Sequence, residues 1–393
     1  MKVVLLGVGM QGKAALHDLM QSEKVTDVIA ADRELEALKA YVESREYGDR
    51  VTCEYLNAED PVSINQLMEQ KPDAVIDLLP ERFCSAIAAS AIKHRIHLVN
   101  TFQSRPIEKK LADEAKASNV TILPDFGLDP GIDLVLLGEA VRSFDSVEEI
   151  ISYGSGIPEL QAADNPIRYK VTWTFEGVLD AYHRPARLIR HGEVVDIKGT
   201  EIFYPQNIHE IEIQGLGNLE AYPNGDALKY VDLLGIEMPG LRTMGCYTLR
   251  WPGHCVFWRK LVDLHLLDTE PVVVDNVSVD RKRFLTAVIE PHIQLGCHER
   301  DVVVVRIEVE GTIGESKKRA VYQLIDRRDL ETGFSAMSRT VGFTASIGAQ
   351  MIGTGQITKH GVISPARDVP YGLLLQELRK RDIVITSDLM VST

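Results

Sequence analysis

The opening run Val3-Val4-Leu5-Leu6-Gly7-Val8-Gly9-Met10-Gln11-Gly12-Lys13 restricts the fold more than any other part of the chain. A β-branched strand ends in three glycines spaced G-x-G-x-x-G, and Ala14-Ala15-Leu16 carry on as a helix. Each glycine has a mechanical task. Gly7 permits the tight turn, Gly9 lets a pyrophosphate reach the backbone, and Gly12 lets the helix lie close on the strand. Free N–H groups and the positive end of the helix dipole then suit a diphosphate. Asp32 closes the next apolar run, 20 residues after Gly12. A carboxylate there accepts hydrogen bonds from the adenosine ribose and repels a 2′-phosphate, which favours NAD, while Arg33 beside it keeps NADP open. This reading makes Gly7, Gly9, Met10, Gln11, Gly12, Asp32 and Arg33 cofactor residues. The plainer alternative is that the glycines only build a tight strand-to-helix turn.

Further apolar runs at Val28–Ala31, Ala74–Leu79, His97–Val99 and Val120–Leu123 alternate with helical stretches such as Leu35–Ser44, Val62–Glu69 and Cys84–Lys93. Strands alternating with helices predict an α/β, doubly wound parallel sheet over residues 1–125. Ligands of such sheets sit at the strands' carboxyl ends. That rule adds Asn57, Ala58, Leu78, Leu79, Pro80, Asn100, Thr101, Phe126 and Gly127 to the cofactor set. From residue 126 to 332 Gly and Pro punctuate often, and Val305-Arg306-Ile307-Glu308-Val309-Glu310 alternates with period two. Alternation of this kind predicts an antiparallel strand with one wet face, and so a second, mixed-sheet α+β domain. Residues 333–393 read as a helical segment that packs back on the first domain.

The chain has 43 basic and 57 acidic residues, a formal net charge of −14. Such a balance repels phosphate backbones and argues against nucleic-acid partners. No apolar stretch approaches membrane-spanning length, and the N-terminal run lacks the core and cleavage site of a signal peptide, so a cytoplasmic protein is expected, with no membrane partner. Cys53, Cys84, Cys246, Cys255 and Cys297 are scattered with no C-x-x-C pair. Reduced thiols fit that pattern, and no metal site is expected.

Beyond the glycine loop stand the segments Gly127-Leu128-Asp129-Pro130-Gly131-Ile132-Asp133, Ser152-Tyr153-Gly154-Ser155-Gly156-Ile157-Pro158, Asp164-Asn165-Pro166, Asn218–Asn224, Thr248-Leu249-Arg250-Trp251-Pro252-Gly253 and Ala336–Thr340. In these segments and their order the chain resembles the saccharopine dehydrogenase-like superfamily. The resemblance implies a Rossmann domain, a second substrate and dimerisation domain, and hydride transfer between a nicotinamide and a carbon–nitrogen bond. The reductase pattern has arginines where this chain has Gly225 and Cys246. Saccharopine has three carboxylates, and losing bidentate partners for them argues against it as substrate. Leu219-Glu220-Ala221-Tyr222 and Arg250-Trp251-Pro252-Gly253-His254 look similar instead to lysine 6-dehydrogenases, which oxidise the ε-amine of lysine with NAD.

Hydride loss from an amine requires the neutral amine, and the imine then needs water and acid–base help. Asp125 and Asp129 follow a strand end, where the nicotinamide is expected. Glu220 and His254 come from the second domain, with His254 the better proton carrier near neutrality. Glu220, His254 and Asp125 are therefore the catalytic candidates. Arg250, whose planar fork matches a carboxylate, heads the substrate set with Arg242, Thr243, Tyr222 and Asp129. Rival readings are a saccharopine- or carboxynorspermidine-forming imine reductase and, from another class, a nicotinamide-nucleotide sensor without chemistry. The second domain suggests a homodimer or higher homo-oligomer.

Overall fold

Val3, Val4, Leu5 and Leu6 of the first strand, β1 (Lys2–Leu6), are wholly buried, because neighbouring elements cover both faces. The structure is a computed structural model that describes residues 1–102 and 107–391. The strands that follow are β2 (Asp27–Asp32), β3 (Val51–Tyr55), β4 (Ala74–Asp77), β5 (His97–Asn100) and β6 (Thr121–Leu123). β1 pairs in parallel with β2 and with β4, and the sheet runs outward through β3 on one side and through β5 and β6 on the other. The short strand Gly361–Val362 adds in parallel to β6. Strand order thus reverses between β1 and β4, the switch point of a Rossmann sheet, where a crevice opens at the carboxyl ends.

Contacts divide the chain into two compact units. The first comprises Met1–Glu139 and Ser338–Ile383, the second Ala140–Met337 and the chain from Val384 on. In the first unit the helix Met10–Gln21 follows β1 directly. The small residues of the helix Ala336–Gly353 let it approach closely: a Cβ on Gly342 would overlap the carbonyl of Gln11, and one on Gly348 would stand 2.6 Å from the Phe126 ring.

The second unit is built on a mixed sheet that includes β7 (Ser146–Pro158), β8 (Ala186–Arg190), β9 (Glu193–Ile197), β10 (His209–Ile213), β11 (Gly217–Pro223) and β12 (Thr243–Arg250). Its path runs β10, β11, β12, β7, then the strands Asp301–Ile313, Ser316–Arg327 and Ile385–Val391. Only β7 and β12 pair in parallel along that path. An aromatic core that includes Tyr169, Phe175, Tyr182, Phe203, Tyr222 and Trp258 is fully buried within this unit. The alternating segment 305–310 is a strand, yet its charged side is closed: Glu308 is buried between Arg306 and Arg319. The last strand pairs Ile385 with Leu324 and Val391 with Lys318, so the tail serves both units in turn. No helix among the described residues is long and apolar enough to cross a membrane.

Candidate functional site

At the carboxyl end of β1 the chain turns at Gly7, whose φ of +85 is open to glycine at little cost. A Cβ there would stand 3.1 Å from Leu78 O and from Leu79 Cδ2, and one on Gly12 would overlap the Gly7 carbonyl. Gly9 differs: a Cβ on it would meet nothing, so the space beyond its backbone is open. It is also the N-cap of the helix Met10–Gln21, and no side chain caps that helix. The first-turn N–H groups therefore have no side-chain acceptor, as a diphosphate cradle requires. Met10 is exposed and Gln11 half-buried beside them.

Asp32 ends β2 and holds this loop from below. One carboxylate oxygen accepts the Val8 N–H at 2.7 Å and the other the Glu34 N–H at 2.9 Å. Arg33 is exposed and paired with Glu34 at 3.3 Å. Asn57 and Ala58 follow β3, with Asn57 Oδ1 accepting the Glu59 N–H at 3.1 Å. Across the switch point lie Leu78, Leu79 and Pro80, whose turn is closed by Leu79 N–H donating to Asp77 Oδ1 at 3.0 Å. Asn100 ends β5 and binds the next turn twice: its side chain accepts the Asp125 N–H at 3.1 Å and its carbonyl the Phe126 N–H at 2.8 Å. Thr101 lies against Gly127, where a Cβ would stand 3.2 Å from the threonine Cβ. The proposed cofactor residues thus line up along the carboxyl ends of one parallel sheet.

Two buried carboxyls of this unit escaped the sequence reading. Asp77 is 2% exposed, and burial raises its pKa to about 7. Its Oδ2 has no hydrogen-bond partner. Asp133 is buried at the start of the helix Ile132–Arg142, accepts the Gly131 N–H at 2.6 Å, and is pushed well above the usual carboxylate range by burial and then by Asp129. A carboxylate directly ending an apolar strand was the available signal for Asp77. Asp125 is half-buried with a positive φ of 55, and Asp129 is exposed.

In the second unit Glu220, Tyr222, Arg250 and His254 come together, but their places differ from the expected ones. The β11–β12 register sets Glu220 opposite Arg250 and Tyr222 opposite Thr248. Glu220 gives both oxygens to the start of the helix His254–Asp263, accepting the Gly253 N–H at 2.7 Å and the Cys255 N–H at 3.0 Å. It is a helix cap, because the left-handed Gly253 carries no side chain that could do this. A cavity of about 430 Å³ adjoins it, lined also by Phe203, Ile208, His209, Cys255 and Arg259.

His254 is wholly buried. Arg250 Nε–H points at the Tyr182 oxygen at 3.1 Å, Tyr182 lies 2.7 Å from His254 Nε2, and His254 Nδ1 lies 2.8 Å from the Ile167 carbonyl. The Ile167 carbonyl can only accept, so His254 Nδ1 carries a proton, and the Tyr182 oxygen accepts from Arg250. With the ring in its neutral form, Nε2 accepts from the Tyr182 hydroxyl. Burial, then the Arg250 charge, hold its pKa well below the ordinary value. Instead of a proton carrier at a loop, His254 is a fixed link in the core.

Arg250 is also enclosed rather than open to a carboxylate. It is 5% exposed, donates Nη1 to Leu249 O at 2.9 Å, and lies 5.2, 5.7 and 6.0 Å from the rings of Tyr169, Tyr182 and Tyr222. Burial opposes its charge, but the surrounding tyrosines more than offset this and raise its pKa. Among the described residues no carboxylate forms an ion pair with it. Arg242 and Thr243 sit at the far end of β12. There Arg242 is exposed and already engaged with Glu148, Glu149 and Glu310 at 3.3, 3.1 and 3.9 Å.

Comparison with known proteins agrees with both units. Residues 3–123 match the model of the saccharopine dehydrogenase NADP binding domain, and residues 127–384 that of the saccharopine dehydrogenase C-terminal domain. The mitochondrial alpha-aminoadipic semialdehyde synthase of Bos taurus is 24% identical over 98% of this chain and 47% of its own length. The chain therefore spans about half the length of the curated relatives of that type. The saccharopine dehydrogenase [NADP(+), L-glutamate-forming] of Pyricularia oryzae is 25% identical over 96% of both chains. In fold, apo saccharopine dehydrogenase (L-Glu forming) from Saccharomyces cerevisiae superposes with a TM-score of 0.87 at 21% identity, covering 99% of this chain and 100% of that one. With a nicotinamide-dinucleotide domain and its partner domain matched in order over nearly the whole sequence, the chain belongs to the saccharopine dehydrogenase family.

Proposed function

We propose that the chain is an oxidoreductase that moves a hydride between a nicotinamide dinucleotide and a carbon–nitrogen bond of an amino acid. The observation that carries this reading is the glycine loop at the β1–β4 switch point, with Gly9 at an uncapped helix start and open space beyond it. A bound nicotinamide supplies the electron sink, and the chain supplies position and proton handling. Gly7, Gly9 and Gly12 would hold the diphosphate, and Asp32 and the turns after β3, β4, β5 and β6 would hold the rest.

The finer reading is oxidation of the lysine ε-amine with NAD. Two features support it. Asp32 offers only carboxylate oxygens at the ribose position, and Arg33 beside it is paired with Glu34. Gly225 and Cys246, which replace arginines of the reductase pattern, fall close together, since Asn224 N–H donates to Cys246 O at 2.9 Å. Two guanidinium groups are thus lacking at one place, which suits a substrate with fewer carboxylates than saccharopine. Because Glu220 and His254 are given to structural partners, Asp125 is the residue proposed to take the amine proton. A saccharopine-type reductase is the second reading, supported by relatives of that name over 96% of both chains.

Turnover decides between them. Lysine with NAD should raise the reduced-nicotinamide absorbance. Glutamate, the lysine semialdehyde and NADPH should leave it unchanged. The opposite pattern selects the reductase, and cofactor binding with neither turnover selects the sensor.

A further inference from the structure

β4 ends in Asp77, a buried carboxyl with part of its hydrogen bonding missing. Oδ1 accepts the Leu79 N–H at 3.0 Å, while Oδ2 has no hydrogen-bond partner. Keeping such a group charged is costly unless an opposite charge stands near it. Its neighbours supply none. In the sheet register Asp77 lies between Leu6 of β1 and Asn100 of β5, both uncharged. On the helical side stands the Cys84 thiol, at the start of the helix Cys84–His94, and Glu81 and Asp125 act on that thiol in turn. Among the described residues, the groups about this carboxyl are therefore neutral or acidic, and none is basic.

The same carboxyl adjoins the place where the chemistry is proposed. On one side β5 leads to Asp125, whose N–H is accepted by Asn100 Oδ1 at 3.1 Å. On the other side the Leu78 carbonyl lies against Gly7 of the glycine loop. Asp77 thus stands in the sheet between the diphosphate loop and Asp125, within one unit. The two oxidation states of a nicotinamide dinucleotide differ by one charge: the oxidised ring is a cation and the reduced ring is neutral. Their diphosphates and riboses are alike, so these cancel when the two forms are compared.

We propose that Asp77 is a proton-linked selector of the cofactor's oxidation state, favouring the oxidised dinucleotide when ionised and losing that preference when protonated. The inference rests on the dinucleotide reading of the glycine loop. A carboxylate with no basic partner in the chain gains its first opposite charge from a cationic ring, and gains nothing from a neutral one. Coupling of this kind is reciprocal. The oxidised form therefore expels the Asp77 proton more readily than the reduced form does. Burial sets the carboxyl at about 7, so the exchange falls near neutrality. As pH rises, the site shifts its preference toward the form that accepts a hydride.

Calorimetric titration of the full chain with the oxidised and the reduced form of the same dinucleotide, from about pH 6.0 to 8.5, tests this. A nearby opposite charge lowers a carboxyl pKa by about one unit or more. The ratio of oxidised to reduced affinity should accordingly rise by roughly fivefold over that range. Asp77→Asn should bind both forms with a ratio that stays flat, near the wild-type value at the acid end. A second measurement needs no variant: at pH 7, in buffers of different ionisation enthalpy, wild type should release more protons with the oxidised form than with the reduced form. A pH-independent ratio in wild type, equal proton release with both forms, or a pH dependence that survives in Asp77→Asn would each overturn the selector while leaving the dinucleotide reading intact. Failure of wild type to bind either form would overturn that reading, and the selector with it.

Discussion

Replacing Asp77 by asparagine removes one buried titration and leaves the shape of the side chain. The asparagine oxygen can still accept the Leu79 N–H that closes the 78–80 turn. Asp77 has a pKa of about 7 in the fold, against 3.8 for an unperturbed aspartate, with burial the main cause. Between these values the folded chain holds a proton that the unfolded chain has lost. Stability from this group is therefore fully present below the unfolded pKa and falls as pH rises toward 7. At about 1.4 kcal/mol per unit, the whole window is worth about 4 kcal/mol, and the stretch from pH 5 to 7 about 3 kcal/mol. Asparagine pays no such ionisation cost. Any pH-independent penalty from its amide group shifts the variant equally at both ends. For a chain of 393 residues, the Tm of Asp77→Asn relative to wild type should thus rise by roughly 3–4 °C between pH 5 and pH 8. All other titrating groups are common to both proteins and cancel in that difference. Thermal melts in matched buffers measure it, and a gap that stays constant from pH 5 to 8 would refute the reasoning.

Gly12→Ala places a methyl group on the Gly7 carbonyl, so calorimetry should find dinucleotide binding lost. Glu220→Ala removes the acceptor of two helix-start N–H groups and should cost about 1–2 kcal/mol in a urea melt, whereas a purely catalytic Glu220 would leave the melt unchanged. Asp125→Asn should lower turnover by roughly 10²–10⁴ with cofactor affinity retained. His97 accepts the Thr121 N–H at 3.0 Å, and burial, then His360, lower its pKa. Its contribution is present above the unfolded histidine pKa and lost as pH falls through the folded one, so His97→Gln should flatten the acid limb of the stability curve.

What could be read from the sequence was what depends on near neighbours. β1, β4 and β5 are buried on both faces, so they appear as unbroken apolar runs, and the glycine spacing states its own turn. Residues whose partners lie far along the chain were harder. His254 follows a Pro-Gly pair and resembles an accessible loop histidine until Tyr182, 72 residues earlier, is found against its ring. Arg250 looked free for a carboxylate because the tyrosines that enclose it come from three separate elements. Arg242 meets glutamates from β7 and from the strand Asp301–Ile313. The charged alternation around Glu308 is real, but Arg319 from the neighbouring strand closes the side that alternation alone assigns to water.

The first unit is discontinuous: Ser338–Ile383 completes what Met1–Glu139 begins. During synthesis the ribosome releases the glycine loop long before the helix that lies on Gln11 and Ala15 exists. The emerging nucleotide half must wait, unfinished, while the intervening unit is translated. Truncation near residue 139 would yield not a minimal cofactor module but a sheet stripped of one wall, prone to capture by chaperones.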